Sequence, residues 1–170
     1  SYEYDETSTV ITYLDAEGNP IIRSDGYSTI VRTQDDGRAS DDFYYDLNGQ
    51  QVQCSGGYYG THREFNTEGQ NTSLTFFDKD GHAVSSSSGY AIKTYQRDMD
   101  GTIVSEQYFD TEGNPARSLL GQYGELYQRN EQGYIGQITY LGADGKPTPT
   151  NAGYTILKRT YHRDGTADTD

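Results

Sequence analysis

A period of about 32 residues constrains this chain more than any single motif. Five positions fall in register, Asp15, Asp46, Asp78, Asp110 and Gly142, at steps of 31, 32, 32 and 32 residues. A glycine follows each after three residues (Gly18, Gly49, Gly81, Gly113, Gly145) and another after eleven (Gly26, Gly57, Gly89, Gly121, Gly153). A third series is Gly37, Gly69, Gly101, Gly133 and Gly165. A fixed period of this length marks an array of one supersecondary unit, each unit burying its apolar side against its neighbours.

Such an array has little aliphatic material to fill it. Leu, Ile, Val and Phe make up only 27 of 170 residues, and the formal net charge is −13, values that alone fall in the range of disordered chains. The 17 tyrosines oppose that reading. They recur at fixed positions of the period, and an aromatic ring buries a large area in a thin structure. A thin folded array is expected, held by contacts between neighbouring units rather than by one central core. The balance of 13 Lys and Arg against 26 Asp and Glu argues against nucleic acid, whose phosphates require basic residues. No apolar run approaches spanning length, so no membrane insertion by this stretch is expected. Cys54 stands alone, which rules out an internal disulfide framework.

Segments between the glycines run mostly 5 to 8 residues and are rich in Tyr, Thr, Ile and Val, which are strand lengths and strand residues. The turns are well marked. Asp15-Ala-Glu-Gly18, Asp46-Leu-Asn-Gly49, Asp78-Lys-Asp-Gly81 and Asp110-Thr-Glu-Gly113 place Asp first and Gly fourth. Asp accepts from the backbone two residues on, and Gly takes the left-handed conformation after a type I turn. This is the chemistry of a hairpin closed by a bulge. A second turn, as in Asp98-Met-Asp-Gly101 and Arg163-Asp-Gly165, joins the two longer strands. Pro20, Pro115 and Pro147 lack an amide donor, which predicts a short, poorly paired strand after the first turn. Ser85-Ser86-Ser87-Ser88 reads as the loosest, exposed loop. The fold expected is all-β, a tandem array of five hairpin repeats, solenoid-like or an elongated hairpin stack. Residues 1–170 form one array with units beginning near 13, 44, 76, 108 and 140. The chain starts partway through a unit and not with Met, so it is expected to be a fragment of a longer protein.

An aromatic pair precedes the first turn: Tyr13-Leu14, Tyr44-Tyr45, Phe76-Phe77, Tyr108-Phe109 and Tyr140-Leu141. Adjacent strand residues point to opposite faces, so one of each pair should pack inward and stack on the next unit. A second series is Tyr27, Tyr58, Tyr90, Gln122 and Tyr154; a third is Arg32, Arg63, Tyr95, Tyr127 and Arg159; two residues further lie Phe65, Arg97, Arg129 and Tyr161. Arg and aromatic side chains trade places here at same-face positions. Two readings stand side by side. One is a cross-strand cation–π ladder that stiffens the array. The other is a row of shallow sites, each with an aromatic platform and a hydrogen bonder suited to a sugar ring. The ligand-binding candidates are therefore Tyr27, Tyr58, Tyr90, Tyr154, Arg32, Arg63, Tyr95, Arg97, Tyr127, Arg129, Arg159 and Tyr161.

Other chemistry has less support. Asp78-Lys-Asp-Gly81 and Asp98-Met-Asp-Gly101 alternate carboxylates, but a calcium loop of EF-hand type needs a Glu twelfth, where Gly89 and Phe109 stand. No metal or other cofactor is expected. His62, His82 and His162 occupy non-equivalent positions, and no nucleophile–base–orienter signature surrounds Cys54, so an enzyme is not expected.

Tyr108-Phe-Asp-Thr-Glu-Gly-Asn-Pro115, Gly26-Tyr27 and Arg159-Thr-Tyr161 resemble the tandem tyrosine- and glycine-rich hairpin repeats of Gram-positive surface proteins, a group that includes cell-wall-binding, choline-binding and glucan-binding repeats. More loosely, the Tyr-Asp turns are similar to the YD repeats of large secreted proteins. The chain departs from the choline-binding type in lacking Trp and in its longer period. The resemblance implies a non-catalytic, extracellular module of the cell surface or cell wall that binds a surface glycan or cell-wall polymer, with a neighbouring enzyme domain in the full-length protein. The alternative is a passive spacer or protein–protein assembly scaffold attached to an envelope enzyme.

Overall fold

The computed structural model of the protein describes residues 8–35, 38–162 and 166. Gly37, Gly165 and the Arg163–Gly165 turn of the sequence reading lie outside the described residues. The described residues form ten antiparallel strands and no helix. The strands are β1 (Thr9–Thr12), β2 (Thr29–Asp35), β3 (Arg38–Tyr45), β4 (Gly60–Phe65), β5 (Asn71–Phe77), β6 (Ile92–Arg97), β7 (Ile103–Phe109), β8 (Gly124–Arg129), β9 (Ile135–Leu141) and β10 (Ile156–Lys158). They pair in chain order as one open sheet with β1 and β10 at its edges.

Two kinds of connection alternate. Tight hairpins join β4 to β5, β6 to β7 and β8 to β9. Asn66, Asp98 and Asn130 open these turns, each side-chain oxygen accepting from the amides two and four residues on. A register shift falls just before each turn, at Glu64/Phe65, Gln96/Arg97 and Gln128/Arg129. The bulge expected at the Asp-first turns thus belongs to these hairpins. The longer connections carry the Asp-first turns. Asp46 Oδ1, for example, accepts from the amides of Asn48 and Gln50 at 2.8 Å each. Beyond them the expected short strand shrinks to one bridge: Leu14–Pro20, Tyr45–Gln51, Phe77–Ala83, Phe109–Pro115 and Leu141–Pro147. The chain has no room for more, because it turns again within a few residues, with Gly57 N donating to Cys54 O at 2.9 Å and Gly89 N to Ser86 O at 3.0 Å.

These second turns lock to one another. Ser55 N donates to Asp25 O, Ser87 N to Gly56 O, Leu119 N to Ser88 O and Asn151 N to Leu120 O, at 2.7 to 3.0 Å. The serine run is an exposed turn at Ser85, Ser87 and Ser88, as expected, but it is also one rung of this ladder: Ser86 is buried and its Oγ donates to Tyr90 O at 3.0 Å. The Ser86 hydroxyl also accepts from Ser88 N at 3.2 Å, so this serine braces the bend.

The core lies on one face of the sheet, under the longer connections. Tyr44, Phe76, Tyr108 and Tyr140, the first members of their aromatic pairs, are all buried. Rings from the connections slot between them. The result is a spine running Tyr13, Tyr27, Tyr44, Tyr58, Phe76, Tyr90, Tyr108, with successive centroids 6.1, 4.5, 6.0, 4.4, 5.9 and 4.3 Å apart. Seven rings in such contact supply the interior that the scarce aliphatic residues do not. Strands approach closely beneath this layer. A Cβ on Gly60 would come 2.7 Å from Asp42 O, so the position tolerates no side chain.

Candidate functional site

The register places the third series on the spine's face of the sheet. Arg32 pairs with Asp42, Arg63 with Leu74, Tyr95 with Glu106 and Tyr127 with Ile138. Each lies two or more residues beyond the buried rings, where the longer connections no longer cover the sheet, and each is half-buried.

Most of these groups are held by polar partners, not by rings. Arg32 forks onto Asp42, Nε to Oδ1 at 2.6 Å and Nη2 to Oδ2 at 2.9 Å, while Arg63 Nη2 reaches Oδ2 from the other side at 2.9 Å. Asp42 is 3% exposed. Burial acts to raise its pKa, but the two arginines outweigh it and hold the carboxyl below its ordinary range. Arg97 donates to Gly101 O at 2.8 Å and Asn71 O at 3.0 Å, and Arg129 donates to Gly133 O at 2.9 Å, so these two tie down hairpin turns. Tyr161 donates to Ile135 O at 2.8 Å and stacks on Tyr134. Arg159 is exposed.

Among the second-series candidates, Tyr27 and Tyr90 are buried in the spine and Tyr58 half-buried in it. Tyr154, edge-on to Tyr140 at 5.5 Å, keeps 38% exposure. The cation–π contacts use cations outside the expected ladder, although Tyr27, Tyr90 and Tyr95 of the ladder supply some of the rings. Lys93 Nζ sits 5.8 to 5.9 Å from the rings of Tyr90, Tyr95 and Tyr108, Arg23 4.5 Å from Tyr13, and Arg117 5.6 Å from Tyr123. Lys93 also pairs with Glu106 at 3.0 Å. Burial works against its charge, yet Glu106 and the surrounding tyrosines raise its pKa overall.

The spine breaks at Gln122. This side chain is 2% exposed and stands where Tyr27, Tyr58 and Tyr90 insert a ring. Its Oε1 accepts from Ser118 Oγ at 2.7 Å and its Nε2 donates to Glu125 Oε1 at 3.0 Å. Tyr127 Oη donates to Glu125 Oε2 at 3.0 Å. An amide occupies less space than a phenol, and a cleft of about 210 Å³ opens beside the break, lined by Tyr90, Tyr108, Leu119, Leu120, Gln122 and Glu125 among others. Burial, then Glu125 and Glu106, push the Tyr108 phenol well above its ordinary pKa; burial, then Glu106 and Glu125, do the same to Tyr127. Both therefore stay neutral donors at physiological pH.

The sequence reading noted Gln122 only as a replaced tyrosine and did not single out Glu125, Leu119 or Leu120. Comparison in register carries the signal. Glu125 is matched by Ile30, Thr61, Lys93 and Leu157, and Leu119-Leu120 by Ser24-Asp25, Ser55-Gly56, Ser87-Ser88 and Asn151-Ala152.

Cys54 packs among Tyr27, Ile30 and Tyr44 in the core. His62 Nδ1 lies 2.8 Å from Asp41 Oδ1 and its ring stacks on Phe77, on the face away from Cys54's cluster. The Asp-first turns use their carboxylates on their own backbone, as at Asp78 with the amides of Asp80 and His82. No family model matches this sequence, and no curated protein matches it.

Proposed function

We propose that the chain is a non-catalytic module of the cell surface or cell wall, a tandem array of hairpin units that binds a surface glycan or wall polymer laid across its strands. One observation carries this reading: the half-buried row Arg32, Arg63, Tyr95 and Tyr127 lies on one face at matched register, one residue per hairpin. Strands about 4.8 Å apart put equivalent positions on successive hairpins roughly 10 Å apart, a step of the order of one disaccharide. The phenols along that row offer ring faces and hydroxyls to a chain of sugars, beside the Arg32 and Arg63 guanidiniums that converge on Asp42. Weak contacts repeated along the row add up through effective concentration.

A second reading, a passive spacer or assembly scaffold, is supported by the use of Tyr27, Tyr58 and Tyr90 as core. Co-sedimentation with purified peptidoglycan, with teichoic acid and with neutral glucans separates the two. Retention by one polymer, weakened at least severalfold in a Tyr95→Ala/Tyr127→Ala double variant that still folds, supports the binding module. Retention by none leaves the scaffold.

A further inference from the structure

Three departures from the period fall in one stretch and line one cleft. Gln122 replaces the ring that would continue the spine past Tyr108. Leu119 and Leu120 replace polar turn residues and stand 72% and 49% exposed at the lip. Glu125 brings a carboxylate to a position held elsewhere by Ile, Thr, Lys and Leu. A random loss of a tyrosine would account for the first alone; it gives no reason for exposed leucines on a turn otherwise built of Ser, Asp, Asn, Gly and Ala.

The chemistry of the cleft is directional. Leu119 and Leu120 offer the exposed apolar surface, while Tyr108, 5% exposed and stacked on Tyr90, lines the cleft with little of its ring. Gln122 and Glu125 stand at its floor. The hydrogen-bond partners of the Glu125 carboxylate, Gln122 Nε2 and Tyr127 Oη, are both neutral. Each carboxylate oxygen accepts one of these bonds and keeps a free lone pair. Glu106, one strand over and in register with Glu125, is paired to Lys93, and among the described residues no cation forms an ion pair with Glu125. A half-buried carboxylate in that position favours a ligand bearing a positive charge. The volume, about 210 Å³, is below the roughly 300–1,000 Å³ of a drug-sized pocket and suits a single ring.

We propose that the cleft at the break in the aromatic spine binds one pyranose ring carrying an ammonium group, its apolar face against the Leu119-Leu120 lip and its ammonium on Glu125. The inference rests on the glycan reading for the class of ligand, and it places a single specific site within the otherwise regular array.

The test titrates the protein with glucosamine, glucose, glucuronate and tyrosine amide near neutral pH, following backbone amide shifts by NMR. Glucosamine should shift the amides of residues 118–125 and bind more tightly than glucose, with glucuronate weakest. Glu125→Gln should lower glucosamine affinity roughly tenfold, the value of one hydrogen bond to a charged group, and leave glucose nearly unchanged. Gln122→Tyr, which restores the ring used at Tyr27, Tyr58 and Tyr90, should abolish both while the protein stays folded. If that variant does not fold, Leu119→Ser/Leu120→Ser, which copies Ser87-Ser88, should weaken binding instead. Equal affinity for glucosamine and glucuronate, or tighter binding of tyrosine amide than of glucosamine, would overturn the proposal, the latter pointing to an aromatic side chain of a protein partner. Wall-polymer retention unchanged in Gln122→Tyr, with no glucosamine shifts in the parent, sinks this site and leaves the glycan reading intact. Glucosamine binding without retention on any polymer does the reverse.

Discussion

Tyr90 lies flat on Tyr108, ring centroids 4.3 Å apart and planes 7° from parallel. One ring comes from a turn connection and the other from a strand, so the stack fastens the connection onto the sheet. The spine repeats this joint at Tyr27 on Tyr44, 4.5 Å apart. Stability in such a sheet resides in these joints. Tyr108→Ala, at a 5% exposed position, is expected to cost about 3 kcal/mol, measured by urea unfolding. Tyr134→Ala, at 41% exposure, should cost under about 1 kcal/mol. Equal costs would show that the spine is not the core.

Asp42 joins β2, β3 and β4 by holding Arg32 and Arg63 together. Asp42→Ala should destabilise by about 2 kcal/mol. This is less than for a fully buried pair, because the arginine side chains keep 31% and 25% exposure and are partly screened. The carboxyl's pKa is held down in the fold, so its stabilisation is present above the unfolded carboxylate's pKa and is lost as pH falls through the folded value. Acid titration followed by circular dichroism should show a stability loss that is shallower in Asp42→Asn, the other depressed aspartates supplying the rest; an unchanged acid limb in that variant would contradict the assignment.

Alkaline stability follows from the tyrosines. Burial pushes the Tyr44 phenol up to about 12 and those of Tyr58, Tyr108 and Tyr127 upward as well. An unfolded tyrosine ionises near about 10, so above that pH the unfolded state holds fewer protons than the folded one. Stability is then complete below about pH 10 and falls as pH rises through the folded values. Urea midpoints should drop steadily above about pH 10, exposed tyrosines such as Tyr134 ionising in the folded protein and the absorbance of the buried ones appearing only alongside unfolding. Full tyrosinate absorbance in a still-folded protein would be inconsistent with buried rings.

Gly124 allows β8 to approach β7. A Cβ there would collide with the backbone oxygen of Glu106, which cannot swing away as a side chain can. Gly124→Ala should cost about 2 kcal/mol or more, whereas Gly18→Ala, where a Cβ meets nothing within 4 Å, should lose only the smaller penalty of its positive φ of 86°. Thermal melts of the pair decide this; the reverse order would mean the strands separate easily there.

Cys54 occupies the turn position held by Ser86 and Ser118, whose hydroxyls accept from the amides two residues on. Cys54→Ser gains that bond and loses apolar contact with Tyr27 and Tyr44, so stability should change by less than about 1 kcal/mol. A loss well beyond that would give the thiol a role other than packing.

Much of the frame could be read from residue order. Asp46 and Gly49, or Asp98 and Gly101, set their turns by bonds within five residues, and local chemistry of that kind needs no tertiary context. Strand alternation likewise put one residue of each aromatic pair inside, and the structure shows it to be the first: Tyr44, Phe76, Tyr108 and Tyr140. The arginines were less legible. Arg32 and Arg63 meet at Asp42 from strands 31 residues apart, and nothing in their local sequence indicates which carboxylate lies between them. The bulges, too, sit at the hairpins opened by Asn66, Asp98 and Asn130 and not at the turns opened by Asp15, Asp46, Asp78 and Asp110.

The amino-acid sequence by itself determined the period, the turns and that one member of each aromatic pair faces inward, since these depend on contacts within a few residues and on the two-residue alternation of a strand; which member it is, and that Tyr27, Tyr58 and Tyr90 join it inside, came from the tertiary structure. Only the tertiary structure decided that the strands lie side by side in one open sheet, that the rings join into a continuous spine, and that the spine stops at Gln122. Each of those depends on which neighbouring strand or turn a side chain meets across the sheet, a relation between residues about 30 apart that local chemistry does not encode.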